Sequence, residues 1–221
     1  MGKDFKQINN SKGMSGFTLA EVLITLGIIG VVAAMTLPTL IAKHQEKAHQ
    51  VAFKKAYSML GNAVNSIIAE NEYIVACRGN IGSDTAETSA ECVEFNKLLQ
   101  EKFQPIKYCE TQPYDNGCMA YIRGYDKVEL DRSFEPISHN YFQFKDNEIQ
   151  KRRAYITKNG MSIVVYSDIR SIYLVDTNGL RGPNKWGHDV FVFSVNKNGK
   201  ILCSDLAVEP GGKSCKQRLG E

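Results

Sequence analysis

The first 76 residues contain no cysteine, and the region from Phe17 to Ala42 contains almost no charge. The chain also lacks a CxxC pair, and its four histidines (His44, His49, His139 and His188) are scattered, which removes zinc-site spacing. Gly-x-Ser-x-Gly, phosphate-loop and HExxH patterns are missing, so no enzyme class is indicated by motif. Net charge is only +3, and Lys3, Lys6 and Lys12 against Asp4 place +2 of it before Gly16. A near-neutral remainder gives no electrostatic footprint for nucleic acid. With 43% hydrophobic and 23% charged residues in 221, the composition is that of an ordinary folded chain.

What is present is sharply divided. Residues 1–16 are polar. From Phe17 the chain reads FTLAEVLITLGIIGVVAAMTLPTLIA, with Glu21 its only charge. The 21 residues from Val22 to Ala42, at a rise of about 1.5 Å each, cover the ~30 Å hydrocarbon thickness of a bilayer. An ordinary secretory signal cleaved after Val32-Ala33-Ala34 is the competing reading. Against it, a carboxylate in an apolar helix costs about 2.5–3.5 kcal/mol, which a discarded signal has no reason to carry.

Gly16-Phe17-Thr18-Leu19-Ala20-Glu21 followed by the apolar run resembles the prepilin signature of type IV pilins and type II secretion pseudopilins. The resemblance is specific over residues 13–45 or so. It implies a leader (1–16), cleavage after Gly16 by a membrane aspartic prepilin peptidase, and N-methylation of Phe17. It further implies that Glu21 is the acid five residues into the mature chain and that Pro38 kinks the helix. The partners implied are other pilin subunits in a filament, an inner-membrane assembly platform and an assembly ATPase. Cleavage before Phe17 would leave an amine one turn from Glu21, in its own chain or, better, in a neighbouring one, where each buried charge offsets the other's desolvation. Basic residues flank both ends of the span, so charge alone does not orient it; the cysteines and the resemblance put the head outside the cytoplasm.

Ala52, Ala56, Leu60, Ala63 and Ile67 continue a helical stripe, predicting one helix from Phe17 to Ala69, with a spanning half (17–42) and an amphipathic half (43–70). A bend or melted stretch is expected between Gly27 and Leu40, because Pro38 removes an N–H and presses on the Ala34 carbonyl. Residues 71–221 form the head. Residues 77–90 read as a loop and Glu91–Phe103 as a helix, opened by Thr88 and Glu91 at capping-box spacing. The stretch 105–137 has no clear period. Strands are expected at 141–145, 154–157, 162–167, 171–176, 190–195 and 201–204, with Asn-Gly hairpin turns at 159–160 and 198–199. The fold class is α+β, a long helix laid on an antiparallel sheet, pilin-like by resemblance.

Six cysteines, Cys77, Cys92, Cys109, Cys118, Cys203 and Cys215, read as disulfides made outside the cytoplasm. Connectivity stays open; pairing of neighbours is the working expectation. Asp176-Thr177-Asn178-Gly179, with Asp189 near, begins like a calcium loop, and some pseudopilins have one late in the head. The bidentate glutamate is missing, so a rigid loop from Gly179 to Gly187 is the simpler reading and no cofactor is expected. Trp186 reads as a buried anchor and Lys151-Arg152-Arg153 as a solvated turn. The function expected is a structural subunit of a type IV pilus or secretion filament. The rivals are a tethered or secreted binding module and a minor tip pilin that binds DNA or a surface ligand.

Overall fold

The computed structural model describes residues 16–71, 90–122, 125–129, 141–167, 171–196, 198–204 and 208–220. By its internal contacts the chain divides into Met1–Gln45 and Glu46–Glu221. A single helix, α1 (Leu19–Asn71), runs through the division. The helix is unbroken across Gly27, Gly30 and Pro38, so the melted stretch allowed for at the proline does not form.

In the second unit, α1 contributes Phe53, Ala56, Leu60, Ala63, Val64 and Ile67 to the core. Their spacing of three and four residues keeps them on one helical face. Next come α2 (Ala90–Phe103) and strands β1 (Pro105–Cys109), β2 (Tyr125–Glu129) and β3 (Tyr141–Phe144). A short α3 (Asp146–Ile149) precedes β4 (Arg153–Thr157), β5 (Ser162–Ser167), β6 (Ile172–Asp176), β7 (Val190–Val195) and β8 (Ile201–Cys203); α4 (Cys215–Leu219) follows. The main sheet has six antiparallel strands in the order β1-β4-β5-β6-β7-β8. The fold is α+β and pilin-like in architecture.

Both sheet faces are covered. Tyr155, Ile163, Val165, Tyr173, Val175, Phe191 and Phe193 face α1 and α2, while the alternate residues Ala154, Val164, Leu174, Val190 and Val192 pack with Cys118, Met119, Ile122, Phe144 and Trp186. Alternation along the strands dictates this division. It also explains the consecutive apolar residues Ile172–Val175 of β6 and Val190–Phe193 of β7, strands whose residues are buried throughout. Phe53 sits between Phe191 and Phe193, with ring centroids 4.6 and 5.8 Å away. Buried Asn96 of α2 accepts from the Tyr173 hydroxyl, which satisfies both polar groups inside the core.

The structure departs from expectation in the middle of the chain. β1 and β2 were not foreseen, and β3 pairs with β2 in a separate two-stranded sheet. The short α3 and α4 were not foreseen either. The 77–90 loop, apart from Ala90 at the start of α2, and the Thr88 cap lie outside the described residues. The Gly160 and Gly199 turns close their hairpins with φ of +80° and +73°. At Gly199 a Cβ would stand only 2.4 Å from Ile68 Cδ1, so the β7–β8 tip rests directly on α1.

Candidate functional site

Three groups of residues carry the chemistry. The first is the start of α1. Thr18 precedes the helix; its main-chain N–H and its hydroxyl both donate to Glu21 Oε2 at 2.9 Å, and Glu21 N–H returns a bond to Thr18 Oγ1 at 3.3 Å. This reciprocal pairing is a capping box, written as Thr-x-x-Glu, a role for Glu21 that the sequence reading missed although its spacing was visible. In the full-length chain Phe17 is still joined to Gly16, and both are exposed. The carboxylate is therefore held at the helix mouth, close to where a freed Phe17 amine would form.

Beyond the cap the segment is apolar all round: Leu23, Ile24, Leu26, Ile28, Ile29, Val31, Leu37, Leu40 and Ile41 are exposed. The helix is long and apolar enough to cross a membrane, and none of its most apolar window is buried. Its few hydroxyls are turned inward: Thr25 Oγ1 donates to Glu21 O at 2.9 Å, Thr36 Oγ1 to Val32 O at 3.0 Å and Thr39 Oγ1 to Thr36 O at 2.8 Å. Main-chain carbonyls thus satisfy groups that a hydrocarbon environment could not.

The second group is the β6–β7 loop, which contains Asp176, Asn178 and Asp189. Asp176 and Asp189 are wholly buried. Asp176 Oδ1 accepts the N–H groups of Asn178 and Gly179 at 3.1 and 3.0 Å. Asp189 accepts from Asn184 N, Lys185 N and Asn178 Nδ2 at 2.9, 2.8 and 3.0 Å. The two aspartates therefore hold the loop's main chain, as the rigid-loop reading expects. Gly179 is forced by crowding: with φ of +71°, a Cβ would fall 2.0 Å from the Gly160 carbonyl oxygen. Among the described residues, three oxygens in the loop, Asp176 Oδ2, Asn178 Oδ1 and Asn184 Oδ1, are buried without a hydrogen-bond partner. Burial, then the charge of Asp189, pushes the Asp176 carboxyl up to about 8. Uncharged or carboxylate oxygens left over in this way are hard donors of the type calcium takes. Even so, no group of three or more His, Cys, Asp or Glu side chains stands together among the described residues.

The third group joins the end of the chain to α1 in the second unit. Arg218 is wholly buried; Nη1 donates to Glu46 Oε1 at 2.6 Å, and Nη2 to the carbonyls of Gly187 and His188 at 2.8 and 3.4 Å. Lys213 Nζ reaches the same Glu46 oxygen at 2.9 Å. Burial tends to raise the Glu46 carboxyl, but Lys213 and Arg218 outweigh it and hold the group below its ordinary value. Burial holds neighbouring His49 down, against the pull of Asp189. Ser214 and Gln217 form a capping box on α4, which places Arg218. The contact of Arg218 with Glu46 was not legible from local sequence, although Ser214 and Gln217 have capping-box spacing.

Other candidate residues fall outside these groups. Trp186 is buried against Phe144, with centroids 5.5 Å apart, and serves as an anchor of the second core face. In the basic run, Lys151 pairs with Glu148 at 2.7 Å, and Arg152 lies 5.1 Å over the Tyr166 ring. Cys109–Cys118 and Cys203–Cys215 are disulfides with Cα separations of 6.2 and 5.9 Å. Cys92 is also disulfide-bonded; Cys77 lies outside the described residues.

An exposed apolar helix with a capped acid at its mouth, followed by a disulfide-bonded α+β head, defines a membrane-anchored protein of pilin-like architecture. Residues 11–37 match the prokaryotic N-terminal methylation motif, the signature of type IV pilins and pseudopilins. That signature implies processing by prepilin peptidase and assembly with other pilins. No curated protein and no solved structure matches the chain.

Proposed function

We propose that the protein is a filament subunit of a type IV pilus or a type II secretion-like system. The observation that carries this reading is Glu21, the one charge in the exposed apolar segment from Phe17 to Ala42, a single turn beyond Gly16-Phe17. Prepilin peptidase cuts after Gly16, and Phe17 is methylated. The residues from Phe17 to about Ala42 then leave the bilayer for a filament core built from copies of the same helix. Glu21 meets the Phe17 amine of the next subunit, so an out-of-register copy leaves two charges unpaired in an apolar interior. An inner-membrane platform and an assembly ATPase drive the transfer, and the head stands outside the cytoplasm.

Mass spectrometry of the protein from its native membrane tests this directly. The expected mature chain begins at N-methyl-Phe17; a chain beginning at Met35 would show an ordinary signal and end the proposal. Glu21→Ala should abolish filaments while leaving processed subunits in the membrane.

The orphaned oxygens of the β6–β7 loop favour one addition, a structural calcium ion held by Asp176, Asn178 and Asn184. It would supply the positive charge that the buried aspartates lack. Thermal unfolding in calcium against chelator tests it. At a hundredfold excess over Kd the ion adds about 2.7 kcal/mol, or roughly 5–10 °C for a chain of this size. An unchanged midpoint in excess calcium would leave the loop held by protein groups alone.

A further inference from the structure

On the sheet face away from α1, the Cys109–Cys118 loop, α3 and the tip of the β6–β7 loop enclose an open groove of about 690 Å³. Tyr114 and Tyr121 form one corner, their centroids 5.4 Å apart and their planes at 62°. Leu180, a large and exposed apolar residue, flanks them. Asp115 and Asp146 line the same groove, and among the described residues no Lys, Arg or His does. Lys107 stands at the rim, its Nζ 3.2 Å from the Cβ position of Gly117.

The groove is built rather than incidental. Gln150 donates to Asp115 Oδ2 at 2.8 Å and accepts from Tyr114 N–H at 3.2 Å, tying both lining residues to the end of α3. Tyr121 donates to Asp146 Oδ2 at 2.8 Å. Asp146 Oδ1 is buried and has no donor among the described residues, which match only half of the carboxylate charge. That charge is felt across the groove: burial, then Asp146, drives the Tyr114 phenol well above its ordinary value.

Perpendicular aromatic rings beside two carboxylates, one of them with an oxygen that lacks a donor, and an apolar flank suit one chemistry. The rings' negative faces and the carboxylates attract a cation, while Leu180 takes its methyl or methylene groups. We propose that the groove binds an alkylammonium head, either a quaternary amine of the choline type or the end of a lysine side chain. A neutral ligand of the same shape would gain the apolar contacts and lose the charge.

The test uses full-length protein in a non-ionic polyoxyethylene detergent, which presents no ammonium or sugar of its own. Saturation-transfer NMR would follow choline, N-acetyl-lysine amide, the uncharged choline isostere 3,3-dimethylbutanol and a methyl glucoside. Binding of choline or the lysine probe is expected, with the isostere weaker by about tenfold. The tighter of the two cations identifies the source. Asp146→Asn keeps an acceptor for Tyr121, and Tyr121→Leu keeps apolar bulk; each should weaken the cation about five- to tenfold with the unfolding midpoint held. Equal binding of choline and its isostere, binding of the glucoside alone, or no transfer to either cation would overturn the proposal.

Discussion

Arg218, wholly buried, donates to Glu46 at 2.6 Å across 172 positions of sequence. The pair fastens α4 to α1, while the second guanidinium nitrogen holds the Gly187 carbonyl of the β6–β7 loop. Arg218→Ala leaves the part-exposed Glu46 with Lys213 but takes the charged donor from the buried Gly187 carbonyl. The variant should lower unfolding free energy by about 1.5–3 kcal/mol. Urea denaturation of the full chain in detergent reads this; a loss under about 1 kcal/mol would mean that the pair behaves as a surface bridge.

The same pair sets a pH response. The Glu46 carboxyl lies below its ordinary 4.5 in the folded chain, with Lys213 and Arg218 outweighing burial. A folded value below the unfolded one adds stability that is complete above about 4.5 and disappears as pH falls through the folded value. Unfolding followed from pH 7 to 3 should show that acid loss. Glu46→Gln should flatten it, with the variant less stable than the parent at pH 7 and closest to it at pH 3.

Phe53 tests the contact between α1 and the sheet. Its ring is wholly buried against Phe191 and Phe193. Phe53→Ala removes that area and leaves a cavity, at about 3–5 kcal/mol; Phe53→Leu should recover more than half. Thermal unfolding distinguishes them, and equal midpoints would show that the site collapses around the smaller residue.

Gly179 tests whether the β6–β7 loop is as tightly set as its hydrogen bonds indicate. Gly179→Ala must place a methyl group 2.0 Å from the Gly160 oxygen and also adopt a positive φ. The expected loss is about 2–3 kcal/mol, alongside faster exchange of the Asn178 and Asn184 amides. Unchanged amide exchange would show that the two turns can separate freely.

The capping box at the mouth of α1 separates two functions of Glu21. Glu21→Gln retains an acceptor for Thr18 and the helix cap but removes the charge, whereas Glu21→Ala removes both. If charge pairing governs assembly, neither variant forms filaments. Filaments from the Gln variant alone would assign the residue to capping. Electron microscopy of sheared surface material gives the answer.

Local patterns made α1, α2 and the strands β4 to β8 readable, since each has a clean period or an apolar run of sufficient length. β1 escaped because it is an edge strand starting at Pro105, with only Cys109 buried, so no alternation marks it. α3 and α4 are four and five residues long, too short to show a helical period. Thr18 and Glu21 could have been read as a cap from their spacing. Glu46 with Arg218 could not: folding brings distant positions together there, and neither end carries a mark of the other. Connectivity was open from sequence, and Cys109–Cys118 and Cys203–Cys215 follow the working expectation that neighbours pair.

The bare main chain at Gly199 works as a spacer of no thickness between the β7–β8 tip and Ile68. A methyl group there would crowd the far end of Ile68, which can turn aside, and would also have to hold a φ of +73°. A shorter residue at position 68 is therefore expected to relieve the crowding but not the backbone strain.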